Sequence, residues 1–335
     1  MNTQTIRAAL GLAALAMMSQ AQSEELKLPR DGWTSWQVAA VDGAPEWCCW
    51  NSWDDKNPST KACSIDDDHG NFGSRNHRTT DAVRVYARTT GGKIERLRVL
   101  SATCPVDAKT PIHELGSVAT DDSARWLIGL TKQSGAESIM RGDVADNVLA
   151  GLAMHQGSLA QDALAAIARG DTRTEARKKA VFWLAMLRGT AGAEIATSVM
   201  FNDKDPQLRE HASFAVAQSK SPRIAEDLTR LGNTDTDGQV RAQAWFWLAH
   251  TGAAGAEDAI AAALKKDKDD HVREHAVFAL SRLPDERATR ALIAVAEDKT
   301  LTREQRKRAV FWLAQSEADG AQKYLEKVLV GKVGD

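Results

Sequence analysis

One arrangement of apolar and polar positions recurs five times in the second half of the chain. The segments are Arg177-Lys-Lys-Ala-Val-Phe-Trp-Leu-Ala185, Arg209-Glu-His-Ala-Ser-Phe-Ala-Val-Ala217, Arg241-Ala-Gln-Ala-Trp-Phe-Trp-Leu-Ala249, Arg273-Glu-His-Ala-Val-Phe-Ala-Leu-Ser281 and Arg306-Lys-Arg-Ala-Val-Phe-Trp-Leu-Ala314. Their leading arginines are 32, 32, 32 and 33 residues apart, a period that marks an internal repeat. After the Arg and two further residues come six almost wholly apolar positions. A helix with that pattern is apolar nearly all round and has to be covered on several sides. A second amphipathic helix is predicted after each segment, as at Ile224 to Leu231, Glu257 to Leu264, Arg287 to Ala296 and Ala321 to Leu329. The connections carry turn residues (Arg188-Gly189, Ser221-Pro222, Thr251-Gly252, Leu283-Pro284-Asp285, Asp319-Gly320). Asp203-Lys-Asp205-Pro206 and Asp235-Thr-Asp237-Gly238 sit where a helix cap is needed. A single hairpin of this kind cannot bury its first helix, whereas stacked copies can.

The turn Asp, the Val/Leu-Arg pair and the following Ala with its apolar run resemble the short bacterial form of the HEAT repeat, often named after phycobilisome-lyase-like proteins. Asp203, Asp235 and Asp267 each stand six residues before Arg209, Arg241 and Arg273. The resemblance covers residues 143 to 330, with a degenerate unit at Asp146 to Ala168 and a capping helix at Asp122 to Gln133. It implies an α-solenoid of about six helix hairpins. It also implies that Arg177, Arg209, Arg241, Arg273 and Arg306 form a structural ladder with turn aspartates of their own or a neighbouring repeat; the competing reading is an anion-binding row. Residues Trp183, Ala215, Trp247, Ala279 and Trp312 alternate large and small at one position, which suits close packing between layers. The alternative is an aromatic row on a binding face. His211 and His275 are equivalent and could respond to acid, although an exposed solvated pair is the plainer expectation. Family geometry places binding on the second helices, whose Arg223, Glu226, Arg230, Arg287 and Arg290 lie among further charges of both signs. Mixed charge suits a protein or peptide partner rather than a polyanion.

The first third is different. Asp81 to Thr90 and Lys93 to Cys104 alternate apolar and polar residues around Gly91-Gly92, predicting a β-hairpin, and Trp33 to Val41 predicts another strand. All four cysteines are here: Cys48, Cys49, Cys63 and Cys104. No CxxC spacing points to zinc, so two disulfides are expected, with Cys48 and Cys49 each reaching to Cys63 or Cys104 because a bridge between neighbours is strained. Trp33, Trp36, Trp47, Trp50 and Trp53 fall within 21 residues. They supply core for a small domain or, alternatively, stacking platforms for sugar rings. Asp66-Asp-Asp-His-Gly-Asn-Phe-Gly-Ser74 resembles a calcium loop only superficially, with Gly70 one place early and His77 where a bidentate Glu belongs. A solvated polar loop is expected.

Arg7, the apolar run Ala8 to Met18 and Ser19-Gln20-Ala21 read as an export signal cleaved near Ala21, which agrees with the cysteine usage. The expectation is therefore residues 1–21 signal peptide, 22–118 a β-rich Cys/Trp domain, 119–142 a capping helix and linker, and 143–330 the solenoid, in a periplasmic or secreted protein. A formal charge of −2 gives no phosphate-neutralising excess, so no nucleic-acid partner is expected. No later stretch is long and apolar enough to insert in a membrane. G-x-S-x-G, H-E-x-x-H and phosphate-cradling glycine loops are absent, so no cofactor and no catalytic residue is assigned. Nothing in the sequence sets an oligomeric state. The leading functional expectation is an exported, non-enzymatic scaffold binding another envelope protein or peptide and able to modulate envelope signalling. The alternatives are glycan or cell-wall binding by the Trp-rich region, and a lyase-like enzyme acting on a tetrapyrrole or other small molecule.

Overall fold

The computed structural model describes residues 26–50, 62–67, 71–132 and 143–331. The export segment, Trp53 and the middle of the Asp66–Ser74 stretch lie outside the described residues, as does most of the linker before residue 143.

Eight strands come first in the described residues: β1 Gly32–Ala39, β2 Pro45–Trp50, β3 Cys63–Ser64, β4 Asn71–Thr79, β5 Ala82–Thr90, β6 Lys93–Ser101, β7 Val106–Asp107 and β8 Ile112–Ser117. The expected hairpin is β5–β6, antiparallel, and its Gly91 and Gly92 take positive φ of 58° and 80° at the turn. It extends into a four-stranded sheet of order β6-β5-β1-β8, with β1 antiparallel to β5 and parallel to β8. Two-stranded pairs β2-β4 and β3-β7 complete the strand region.

Strand periodicity divides the sheet into two apolar faces. One carries Trp36, Val38, Val83, Val85, Ala87, Leu97 and Val99. The other carries Trp33, Tyr86 and Leu100, packed with all four cysteines and Ile65. The bridges are Cys48–Cys104 and Cys49–Cys63, with Cα–Cα distances of 5.5 and 5.7 Å. That settles the pairing the sequence left open.

Thirteen helices follow in the described residues: α1 Thr120–Lys132, α2 Asp143–Met154, α3 Ser158–Gly170, α4 Thr174–Leu187, α5 Gly189–Asn202, α6 Pro206–Ala217, α7 Ile224–Thr234, α8 Gly238–His250, α9 Ala256–Lys266, α10 Asp270–Leu280, α11 Asp285–Glu297, α12 Arg303–Ala314 and α13 Asp319–Gly331. From α2 onward they pair into six hairpins, each with a first helix (α2, α4, α6, α8, α10, α12) and a second. The caps are chemical. Asp205, Asp237 and Asp269 accept backbone N–H bonds at the starts of α6, α8 and α10, and Thr302 with Gln305 forms a capping box on α12. The fold is thus mainly α, a helical-hairpin solenoid behind a small disulfide-bearing β region.

The two regions share one hydrophobic core. The first face of the sheet packs on α1 and α2 through Ala124, Leu127, Val148, Leu149 and Leu152. A Cβ at Gly151 would lie 3.0 Å from Val99 Cγ2 and 3.2 Å from Leu127 Cδ1, so glycine sets this close approach. Backbone bonds from Val41 to Met154 (2.8 Å) and from Gln156 to Ala39 (3.1 Å) tie the end of β1 to the end of α2. First helices also contact each other more extensively than second helices do, making the array tighter on its first-helix side.

Candidate functional site

Along the array, the first three leading arginines each meet the turn aspartate of the following unit. Arg209 donates to both carboxylate oxygens of Asp235 at 2.8 Å, and Arg241 to both of Asp267 at 2.9 Å. Arg177 pairs with Asp203 through Nη2 alone, while its Nε donates to the Ala168 carbonyl (3.0 Å). The Nη1 groups of Arg209 and Arg241 also donate to the carbonyls of Asp203 and Asp235. The carboxylate partners raise the pKa of both guanidinium groups. Burial alone pushes Asp267 up, but the bonds from Arg241 and from the Asp269 N–H hold it below the ordinary carboxylate range. These guanidinium groups are occupied by protein and unavailable to an anion. The ladder stops after its third rung. The last arginine spacing is 33 rather than 32, and Asp298 is taken by Lys265. Arg273 falls back on Asp270 and the Asp267 carbonyl, and Arg306 on the Leu301 carbonyl.

Buried polar networks account for other singled-out residues. Trp33 and Trp36 are each 1% exposed, on opposite faces of the sheet. The Trp33 indole N–H donates to Asp66 (2.9 Å), which also accepts from Arg88 (2.7 Å) and from the Lys109 N–H (2.6 Å). Burial pushes Asp66 up, and these donors more than offset it, leaving its pKa below the ordinary value. Asp66 is therefore a buried anchor rather than part of a solvated loop or a calcium ligand. On the other face, the Trp36 indole donates to Ser123 Oγ (2.7 Å), and Ser123 donates to His155 Nε2 (2.8 Å). The His155 Nδ1–H donates to the Gly151 carbonyl (2.6 Å), which assigns the tautomer. Ser123 and His155 are both 0% exposed, and burial pushes His155 down to about 4. This Ser–His pair is sealed from substrate. Arg188 donates to the carbonyls of Ala153, His155 and Gly157 and closes the end of α2.

A row of partly solvated aromatic rings lies on the first-helix side. The sixth residue of every arginine-led segment is Phe: Phe182, Phe214, Phe246, Phe278 and Phe311. The first four are half-buried and Phe311 is 55% exposed. With Trp183, Trp247 and Trp312 they form an unbroken row on the first-helix side. Phe182 stacks on Phe214 (5.9 Å), Phe214 meets Trp247 (4.9 Å), Phe246 stacks on Phe278 (5.6 Å) and Phe278 meets Trp312 (5.0 Å). Neighbouring rings within a unit close the gaps, and Trp47 of β2 joins the row at Trp183 (5.9 Å). Trp183, Trp247 and Trp312 are partly buried, packed against the core as the alternation implied, with their remaining surface in the row. Ala215 and Ala279, at the small positions of the alternation, are fully buried. The recurring Phe was legible in the repeat, but its place within an apolar run disguised its exposure.

His211 and His275 are half-buried on the same side, and burial lowers both. The His211 Nε2–H donates to the Lys178 carbonyl (3.1 Å). On the second-helix side, Arg223 pairs with Glu226 (3.3 Å) and Asp227 (3.6 Å), and Arg230 lies over the Phe201 ring (3.6 Å). Arg287 joins Glu257 and the carbonyls of Gly252 and Ala253 (2.7 Å each). Arg287 and Arg290 line one open cleft of about 270 Å³ between α9 and α11; Arg223, Glu226 and Arg230 lie apart from it on and before α7. Trp50 is the last residue of β2, and its register partner is Asn71. Among the described residues no group of three or more His, Cys, Asp or Glu side chains could hold a metal, and no helix is long and apolar enough to cross a membrane.

A search of the curated proteins finds no match. Among solved structures, human deoxyhypusine hydroxylase in complex with glycerol is similar at 19% identity, over 60% of this chain and 76% of that one, with a TM-score of 0.33. A similarity of that size transfers neither fold nor activity. The family model described as HEAT repeats matches residues 161–245 and 233–314. Residues 161–314, which hold all five arginine-led helices, are therefore HEAT repeats.

Proposed function

We propose that the protein is an exported, non-enzymatic scaffold that holds another envelope protein, or an extended peptide of one, against the first-helix side of its array. One observation carries this reading: a row of partly exposed rings, one Phe in each of the five arginine-led units, runs from Trp47 to Phe311. A solenoid can bury its core without leaving such a row at the surface, and aromatic side chains dominate contact energies at protein interfaces. Charges beside the row largely pair with one another, as in Lys178–Glu175 (3.0 Å) and Arg308–Glu274 (2.8 Å), so the face favours an apolar partner surface over a polyanion. The two disulfides are in keeping with export. Sugar stacking finds no support in Trp33 and Trp36, which are buried. Small-molecule chemistry finds none in the open cleft between α9 and α11 or in the sealed Ser123–His155 pair.

The test is affinity capture from envelope extract with the full chain and with a Phe214→Glu/Phe246→Glu/Phe278→Glu variant. These side chains are partly solvated, so the variant is expected to fold, as circular dichroism would check. Partners held by the wild type and lost from the folded variant are expected. The same partners on both would overturn the reading.

A further inference from the structure

One pair of side chains on the first-helix side departs from its repeat background. Two positions before and two positions after the leading arginine, the five units carry Glu175 and Lys179, Gln207 and His211, Gln239 and Gln243, His271 and His275, and Glu304 and Arg308. Only α10 has histidine at both. The pair belongs to the run His271-Val-Arg-Glu-His275, spaced i and i+4, so both rings rise from one face of the helix. Their centroids are 4.0 Å apart, with the ring planes inclined by 42°. His275 Nδ1 is turned back to the His271 carbonyl (3.2 Å), which directs its Nε2 away from the helix backbone. Such a bond from the non-ligating nitrogen is the usual support for a metal-binding imidazole. His271 is exposed, and its Nε2 contacts only the flexible, exposed Gln239 side chain, at 2.7 Å.

We infer that His271 and His275 form a two-histidine site for a divalent first-row transition metal, a property that goes beyond the scaffold reading and does not depend on it. Two imidazoles on successive turns chelate one ion, as they do in zinc motifs with histidines four apart. Imidazole selects Cu2+, Ni2+ and Zn2+, with Cu2+ tightest, and not Ca2+ or Mg2+. Glu274, between the two, is held by Arg308 at 2.8 Å and is not a ligand. The remaining coordination positions face solvent beside the aromatic row, open to water or to a donor on a bound partner.

Calorimetric titration of the full chain with Cu2+ alone tests this, using wild type, His271→Gln, His275→Gln, the double variant and His211→Gln. Loss of either α10 histidine removes the chelate and is expected to weaken the site roughly a hundredfold, because the second imidazole binds at high effective concentration. His211→Gln is expected to leave it unchanged. A measurement on wild type alone runs in parallel: Cu2+ is expected to protect His271 and His275, but not His250, from diethylpyrocarbonate. The inference is overturned if wild type binds no Cu2+, if the double variant binds it equally well, or if the two histidines are modified equally with and without the ion.

Discussion

His155 is the side chain through which acid reaches the junction of sheet and helices. Its pKa is about 4 in the folded protein, against an ordinary value of 6.5. Above pH 6.5 both folded and unfolded states hold it neutral and its contribution to stability is complete. As the pH falls towards 4 the unfolded chain takes up a proton that the folded protein refuses, so stability is lost. The full effect is about 3 kcal/mol. Urea unfolding of wild type between pH 7 and pH 4.5 should show this slope, and His155→Gln should lose one proton's share of it while being less stable at pH 7. An unchanged slope in the variant would mean that burial does not hold the ring neutral. None of the Trp36–Ser123–His155 chain was legible in the sequence, because its members are 87 and 32 residues apart and meet only through tertiary packing. Trp33 and Trp36 show how far the sequence does reach. Period-2 alternation predicts their strand, but the partners of their indole groups come from Asp66 and Ser123.

Among elements, the first helices were readable to within a turn, because caps, apolar run and leading arginine all repeat at one period. The ladder was readable in kind but not in direction: Arg177, Arg209 and Arg241 reach forward, 26 residues on, to the aspartate of the next unit. Its interruption is also written in the sequence, as one added residue before Arg306. The consequence is a graded sensitivity. Arg241, 5% exposed, makes two bonds to Asp267 and others to the Asp235 and Thr236 carbonyls. Arg241→Ala would strand a buried carboxylate and is expected to cost about 3–5 kcal/mol. Arg306→Ala, which gives up only its bond to the Leu301 carbonyl, should cost roughly 1 kcal/mol. Denaturant midpoints would decide, and equal losses would contradict a ladder that ends at Asp267. Which helix faces solvent was less legible, since apolar residues on all sides do not distinguish a covered Leu from a half-covered Phe.

For the whole molecule, the principal departure from the sequence reading is the shared core. A disulfide-bearing β region and a solenoid were legible; that one sheet face would serve as the end cap of the array was not, because it depends on Gly151 meeting Val99 and on backbone bonds from Val41 and Gln156. The disulfides lie on the opposite face, with Trp33 and Leu100. Reduction should therefore cost about 2–5 kcal/mol per bridge in the strand region. In a repeat array, loosening passes chiefly to nearest neighbours. Hydrogen exchange after reduction should rise in β2, β5 and β6, less in α1 and α2, and not in α8 to α12. Uniform loss of protection along the chain would show that the molecule opens as one unit.

The central claim is that the first-helix side, with its row of rings, is the surface that meets a partner. Site-specific photo-crosslinking in living cells asks this most directly, with a benzophenone amino acid placed in turn at Phe246 and Phe278 on the first-helix side and at Arg230 and Arg290 on the second. Adducts from positions 246 and 278, with none from 230 and 290, are predicted. Adducts confined to 230 and 290 would place the partner on the other side of the array and contradict it.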